Sequence, residues 1–213
     1  PTWNRLNLVI ASLNILEKIK NLHDHNIILG DINPSNILIQ ENNEVFFIDT
    51  DSYQIEEYPC TVGMVPYTKK NHHKKPYSEY LRTKDDDIFA ACVLIFQIML
   101  PGKLPYSFRG GTGTKDNMST DNFPYKCKNL GDRRYNNAPE GSWIFIWSHL
   151  PRCMRDMFCK VFKSGESPPL NDLIKAVREY KYQIKKGWQT TDILPTQFKE
   201  LDDDLKNITR KIQ

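Results

Sequence analysis

The chain has 213 residues, 39% hydrophobic and 26% charged, which excludes a disordered or fibrous class and leaves enough chain to bury one domain's core. A net charge of +3, scattered along the sequence, gives no reason to expect nucleic acid as a partner, and the densest basic run, "KKNHHKK" at 69–75, reads as a solvated loop. Five cysteines without a CxxC pair, and no signal-peptide pattern, fit reduced thiols in a cytoplasmic chain, with no zinc site at Cys153 or Cys159.

The first segment, "WNRLNLVIASLNILEKIKNLH", places Leu6, Val9, Leu13, Leu16 and Ile19 at helical spacing and predicts an amphipathic helix over residues 3–23. The irregular "ILGDINPSN" follows; Pro34 prevents the helix from continuing, so residues 28–36 read as an ordered loop. Next come two short β-rich runs, "ILI" and "VFFI", within a hairpin over 37–48. Asn42 and Asn43 lie between them and tolerate the positive φ that a two-residue turn requires. In that register paired positions sum to 85, so Asn36 faces Asp49. Directly opposed side chains have Cβ atoms about 5 Å apart, a separation at which an amide oxygen and a carboxylate can share one divalent cation, and such oxygen ligands suit magnesium. The metal expectation leans on this register, because groups facing different ways, or a ribbon slipped by one position, could not share the ion.

Residues 49–80 are irregular and rich in Tyr, Thr and Lys, as in a long functional loop. The run "IFAACVLIFQIML", Ile88–Leu100, is well short of the roughly 20 residues that cross a bilayer. It predicts a helix over 87–100 buried on all sides, stopped by Pro101 and Gly102, and no membrane partner. Residues 107–149 read as loops with a short helix, anchored by "WIFIW", whose Trp143 and Trp147 belong to the core. Within these loops "RGGTGT" at 109–114 is a plain flexible loop and not a phosphate loop, since no strand pair flanks it. "LPRCMRDMFCKVFKSG" and "LNDLIKAVREYKYQI" supply two further amphipathic helices over 150–183. Residues 184–213 read as a linker and an amphipathic helix carrying Phe198, Leu201, Leu205, Ile208 and Ile212. The fold class is mainly α with a small β-hairpin. His23, His25, His72 and His73 lack convergent partners and read as surface or satisfied histidines.

Three polar residues form a recognisable set. Asp31 lies five residues before Asn36, and Asp49 stands at the far end of the hairpin in "FIDTDS". In this pattern "LHDHNIILGDINPSNIL" resembles the catalytic loop of protein kinases with its preceding helix, and "FIDTDS" resembles their metal-binding triplet. "DIFAACVLIFQIMLPGKLPY" is similar to the central buried helix of that family, with Asp87 both capping the helix and bracing the catalytic loop. "VGMVPYT" resembles the end of an activation segment. The resemblance spans residues 1–183 and corresponds to the large, mostly helical lobe, closest to a bacterial kinase-like branch with "GDINPSNIL" and "IDTDS" wording.

The resemblance implies an ATP-dependent protein kinase-like phosphotransferase, of Ser/Thr more than Tyr type, with ATP, magnesium and a protein substrate as partners. Asp31 and Asn33 are then the catalytic positions, Asn36, Asp49 and Asp51 bind the nucleotide and its ion, and Asn36 and Asp49 are the metal ligands. The phosphotransfer reading leans on the same hairpin register: groups facing different ways, or a ribbon slipped by one position, would leave a resemblance alone. Asp51 reads equally as a local backbone cap. Several positions depart from the family pattern. Leu29 and Gly30 replace its His and Arg, Asn33 replaces the loop lysine, Thr50 and Asp51 follow the metal-binding Asp, and "KKN" stands where Ala-Pro-Glu ends the segment. The arginine partner of that glutamate is also absent around "SGESPPL", so both halves of one buried ion pair are lost together. The small ATP-clamping lobe has no counterpart before the first helix. The expectation is a fragment, inactive alone, whose other lobe lies in the same or another chain. A pseudokinase scaffold is one alternative. A small-molecule phosphotransferase is another, because Gly30 before Asp31 also resembles antibiotic and choline phosphotransferases.

Overall fold

A computed structural model describes residues 3–110, 113–131, 134, 135 and 137–195. The expected tail helix with Phe198 to Ile212 lies outside the described residues. Helix α1 (Arg5–Asp24) starts at Asn4, whose side chain accepts from the Asn7 N–H while the Asn7 side chain accepts from the Asn4 N–H. Its apolar stripe of Val9, Leu13, Leu16 and Ile19 is buried, with Leu6 half-buried beside it. Helix α2 (Lys84–Met99) is buried from Asp87 through Phe96. Helices α5 (Arg152–Phe162) and α6 (Leu170–Lys185) complete the bundle, α6 packing on α1 and α5. Short helices α3 (Thr114–Ser119) and α4 (Trp143–His149) lie between α2 and α5. The mainly α expectation therefore holds, and the only sheet among the described residues has two strands.

At the centre of the bundle Phe96 of α2 meets the rings of Phe123, Tyr125, Trp147, Phe158 and Phe162 at centroid separations of 5.1 to 6.3 Å. Trp147 is fully buried, whereas Trp143 is only half-buried and lies under Lys103 at the edge. Gln97, the one polar interruption in the apolar run, accepts a hydrogen bond from the Tyr67 hydroxyl, so it anchors the segment that follows the hairpin. Burial pushes that phenol up to about 12.

Two expectations are overturned here. Strands β1 (Ile37–Ile39) and β2 (Val45–Phe47) pair antiparallel as Ile37 with Phe47, Leu38 with Phe46 and Ile39 with Val45. Those positions sum to 84, one less than a two-residue turn gives. The turn instead has three residues, Glu41 to Asn43. Gln40 donates to the Glu44 carbonyl at 2.9 Å, Asn43 N–H donates to the Gln40 carbonyl at 2.9 Å, and only Asn43 takes the left-handed conformation, at φ 64°. Asn14 of α1 donates to the Asn43 carbonyl at 2.8 Å and holds the turn against the helix. The Asn43 side-chain oxygen is buried without a hydrogen-bond partner. Asn43→Gly is therefore expected to leave stability unchanged or raise it by up to about 1 kcal/mol, since glycine suits positive φ and removes the unmet acceptor. A chemical denaturation midpoint clearly below that of the unmodified chain would contradict this assignment.

The second correction concerns the thiols. Cys127 and Cys159 are joined by a disulfide, leaving Cys60, Cys92 and Cys153 free. The cross-link ties the 3₁₀ turn at Lys128–Leu130 to the last turns of α5 across 32 residues of sequence, a loop length whose closure contributes about 3–4 kcal/mol by the chain-entropy model. Unfolded without reductant, the chain is expected to titrate with three thiols rather than five. Five before reduction would remove the cross-link. The basic run is also less solvated than expected: Lys69 pairs with Asp85 at 3.0 Å, Lys70 with Asp121 at 2.5 Å, and His72 with Asp86 at 3.1 Å.

Candidate active site

Asp87 organises the loop between α1 and β1. It is 1% exposed, and its carboxylate accepts from the Leu29 N–H at 2.9 Å, from the Gly30 N–H at 2.8 Å and faces His23 Nε2 at 2.9 Å. The carboxylate thus meets two main-chain donors that no strand or helix satisfies, and His23 is a satisfied histidine, buried against it. It does not cap α2. That role falls to Thr83 and Asp86, where the Asp86 carboxylate accepts from the Thr83 N–H at 2.8 Å and from its hydroxyl at 2.9 Å.

The loop so held presents Asp31 between two amides. Asn33 Nδ2 donates to Asp31 Oδ1 at 2.9 Å, while Asn33 Oδ1 accepts from the Ser35 N–H at 2.8 Å and caps the 3₁₀ turn Pro34–Asn36. Asn36 Nδ2 donates to the Asp31 carbonyl at 3.0 Å and reaches Asp31 Oδ2 at 3.3 Å. Asp31 is half-buried, and each of its carboxylate oxygens accepts from one of these amides. Asn33 is buried, and its amide is committed to this frame. Capping and orientation thus coincide in one residue.

Asp49 is not brought opposite Asn36. The one-residue shift puts Ile48 there, its N–H donating to the Asn36 carbonyl at 3.0 Å. Asp49 itself takes the left-handed conformation at φ 61° and ends the ribbon, followed by the 3₁₀ turn Thr50–Ser52. Its carbonyl accepts from the Ser52 hydroxyl at 3.0 Å, while its carboxylate is exposed and receives no hydrogen bond among the described residues. The same holds for Asp51, so the local capping role considered for it is not seen. The cross-strand cradle expected from the sequence is therefore withdrawn, and with it the geometric support that register lent to phosphotransfer, which then rests on the resemblance and on the Asp31 loop. Asn36 Oδ1 and the Asp49 and Asp51 carboxylates remain hard oxygen donors of a type that suits magnesium. Among the described residues no group of three His, Cys, Asp or Glu side chains converges as a metal cluster.

The segment after the site is docked rather than free. Gln54 N–H donates to the Ile28 carbonyl at 3.0 Å, joining it to the loop before Asp31. At its far end Lys69 Nζ contacts Asp85 and Ser167 Oγ, each at 3.0 Å. The link between this segment and the "SGESPPL" turn thus exists, made by a lysine and a serine where the resemblance leads to expect a glutamate and an arginine. Sequence reading missed Lys69 in this role because nothing in "KKN" distinguishes a docked lysine from a solvated one.

Comparison with known proteins gives one kind of relative. The chain is 27% identical over 191 residues to "Protein kinase YegI" of Escherichia coli strain K12 and, at the same identity and span, to the protein of that name in Escherichia coli O157:H7. The match covers 84% of this chain and 29% of each relative, so the chain spans less than a third of the length of the curated relatives it matches. No family model matches. The similarity is distant, extends over most of the chain and points towards the kinase-like proteins as a group. Among the described residues no helix is long and apolar enough to cross a membrane.

Proposed function

We propose that this chain is the large lobe of an ATP-dependent protein kinase-like phosphotransferase, acting on serine or threonine hydroxyls of proteins and inactive by itself. The observation that carries the reading is the loop braced by Asp87, which holds the half-buried Asp31 between the amides of Asn33 and Asn36. An acceptor hydroxyl placed against the exposed part of Asp31 would donate its hydrogen bond to the carboxylate. As the hydroxyl oxygen bonds to phosphorus, its proton passes to Asp31, and the bond from phosphorus to the nucleoside diphosphate breaks. No longer opposed but offset by one position along the ribbon, Asn36 Oδ1 and the exposed carboxylates of Asp49 and Asp51 would hold a magnesium nucleotide as separate oxygen donors, the ion neutralising phosphate charge. The ATP-clamping lobe, from a longer chain or another one, would seat on the exposed side chains of Leu38, Phe46 and Ile48 beside the site.

The experiment is transfer from γ-labelled ATP with magnesium by the full-length protein. Label on a protein hydroxyl is the expected result, and the 213-residue chain alone is expected to transfer nothing. Label found solely on a small alcohol would favour the small-molecule alternative and refute the protein substrate. A second reading, a pseudokinase binding module, is favoured by one observation: Asn33 carries no charge and its amide is already bonded to Asp31. Nucleotide binding without any transfer would select it.

A further inference from the structure

Arg82 is 4% exposed, and no carboxylate contacts its guanidinium among the described residues. Its main chain is pinned on both sides by Gln54, which donates to the Arg82 carbonyl at 2.8 Å and accepts from its N–H at 2.7 Å. The guanidinium is directed at the segment after the hairpin. Nη1 donates to Cys60 Sγ at 3.0 Å, Nη2 donates to the Val62 carbonyl at 2.6 Å, and the Tyr77 and Tyr80 rings lie 4.9 and 6.0 Å away.

Two glycines make room for it. A Cβ on Gly30, the residue before Asp31, would lie 2.7 Å from Arg82 Nη1 and 2.6 Å from Cys60 Cβ, and φ at Gly30 is +77°. A Cβ on Gly63 would lie 2.6 Å from Arg82 Nη2. The guanidinium therefore fills the space of the side chain that Gly30 lacks, closed by Cys60 and by Gly63. Burying this cation without an anion is costly, so the donors must be placed where the sulfur, the carbonyl and the ring faces offset the cost. A planar fork can reach two acceptors at once, as a lysine cannot.

We infer that Arg82 is a positioning residue: its guanidinium latches residues 60–63 onto the loop that carries Asp31 and thereby sets where a substrate chain lies beside that carboxylate. The consequence for turnover rests on the phosphotransfer reading, whereas the latch itself can be measured without turnover. Alkylation of Cys60 by iodoacetamide, mapped by mass spectrometry on the whole chain, reads the latch. Cys92 in α2 serves as the fold control, since it is fully buried and burial pushes its thiol up to about 12.

Arg82→Ala is expected to speed Cys60 alkylation at least about tenfold, the loss of hydrogen bonds made by a charged donor, with Cys92 still protected. Millimolar guanidinium should restore protection where sodium at equal ionic strength does not, and Arg82→Lys should restore it in part. If Arg82→Ala exposes Cys92 as well, Gly63→Ala is the variant to read, because its methyl presses on Nη2 and on the Tyr77 ring, with no residue of α2 among its nearest contacts. Cys60 as slow to react in the readable variant as in the unmodified chain, or guanidinium no better than sodium, overturns the latch. In the full-length protein Arg82→Ala is expected to raise KM for a protein substrate more than it lowers kcat, with Arg82→Lys intermediate. Faster alkylation without any change in these constants overturns the positioning role. Absence of transfer by the unmodified full-length protein counts against phosphotransfer instead, and the alkylation result then decides the latch.

Discussion

Asp31→Asn in the full-length protein, if that protein is the phosphotransferase proposed, is expected to lower phosphoryl transfer by roughly 10²- to 10⁴-fold, the usual worth of a positioned general base, while binding of the magnesium nucleotide stays close to that of the unmodified protein. The substitution keeps the shape of the side chain. Its oxygen can still accept from Asn33 or Asn36, so the loop braced by Asp87 has no reason to rearrange. What is lost is a carboxylate able to take the acceptor's proton. The measurement is the initial rate of label transfer at saturating nucleotide, set beside nucleotide affinity from calorimetry. Equal rates in the two proteins would show that Asp31 does nothing more than order its turn. A parallel Asp49→Asn change should act differently, weakening nucleotide affinity through the ion. If both variants bind nucleotide as before and transfer at the unmodified rate, the site assignment fails at both positions.

The second large effect falls on stability. Asp87→Ala should destabilise the chain by about 3–5 kcal/mol, as breaking a buried polar network does when one partner is removed. The carboxylate, itself 1% exposed, satisfies the N–H groups of Leu29 and Gly30 and faces the ring of the buried His23. Asp87→Asn keeps one acceptor oxygen and turns the other into a donor facing those N–H groups, so a smaller loss of about 1–3 kcal/mol is expected. Urea denaturation of both variants checks the order. Loss confined to the Asp31 loop, seen as faster amide exchange at residues 28–36 with an unchanged global midpoint, would mean that Asp87 braces the loop without bearing on the bundle.

Much of the scaffold could be read from periodicity. The spacing of Val9, Leu13, Leu16 and Ile19 commits α1 to one buried face, and the unbroken apolar run from Ile88 commits α2 to the centre, because neither pattern leaves another face to bury. Asp31, Asn33 and Asn36 were picked out through the resemblance, and the turn that Asn33 caps beside Pro34 brings them together within a few residues. Long-range partners were not. Cys159 meets Cys127 only because α5 lies beside the turn after Tyr125, and Lys69 meets Ser167 only because the α5–α6 connection returns to the start of α2.

Within the hairpin the division is sharpest. Local composition determined that two β-rich runs would pair and that an asparagine would turn the chain, since either Asn42 or Asn43 can accept positive φ. Whether one or both did so was decided outside the ribbon, by Asn14 of α1 gripping the Asn43 carbonyl and Val45 entering the core. That choice moved every pair by one residue and took Asp49 out of line with Asn36. Sequence by itself determined which segments are helical, which are buried and where the polar loop lies, because those depend on side chains close in the chain. Tertiary structure alone decided the register, the disulfide and the guanidinium behind Gly30, because each is a contact between distant segments that have no local signal of one another.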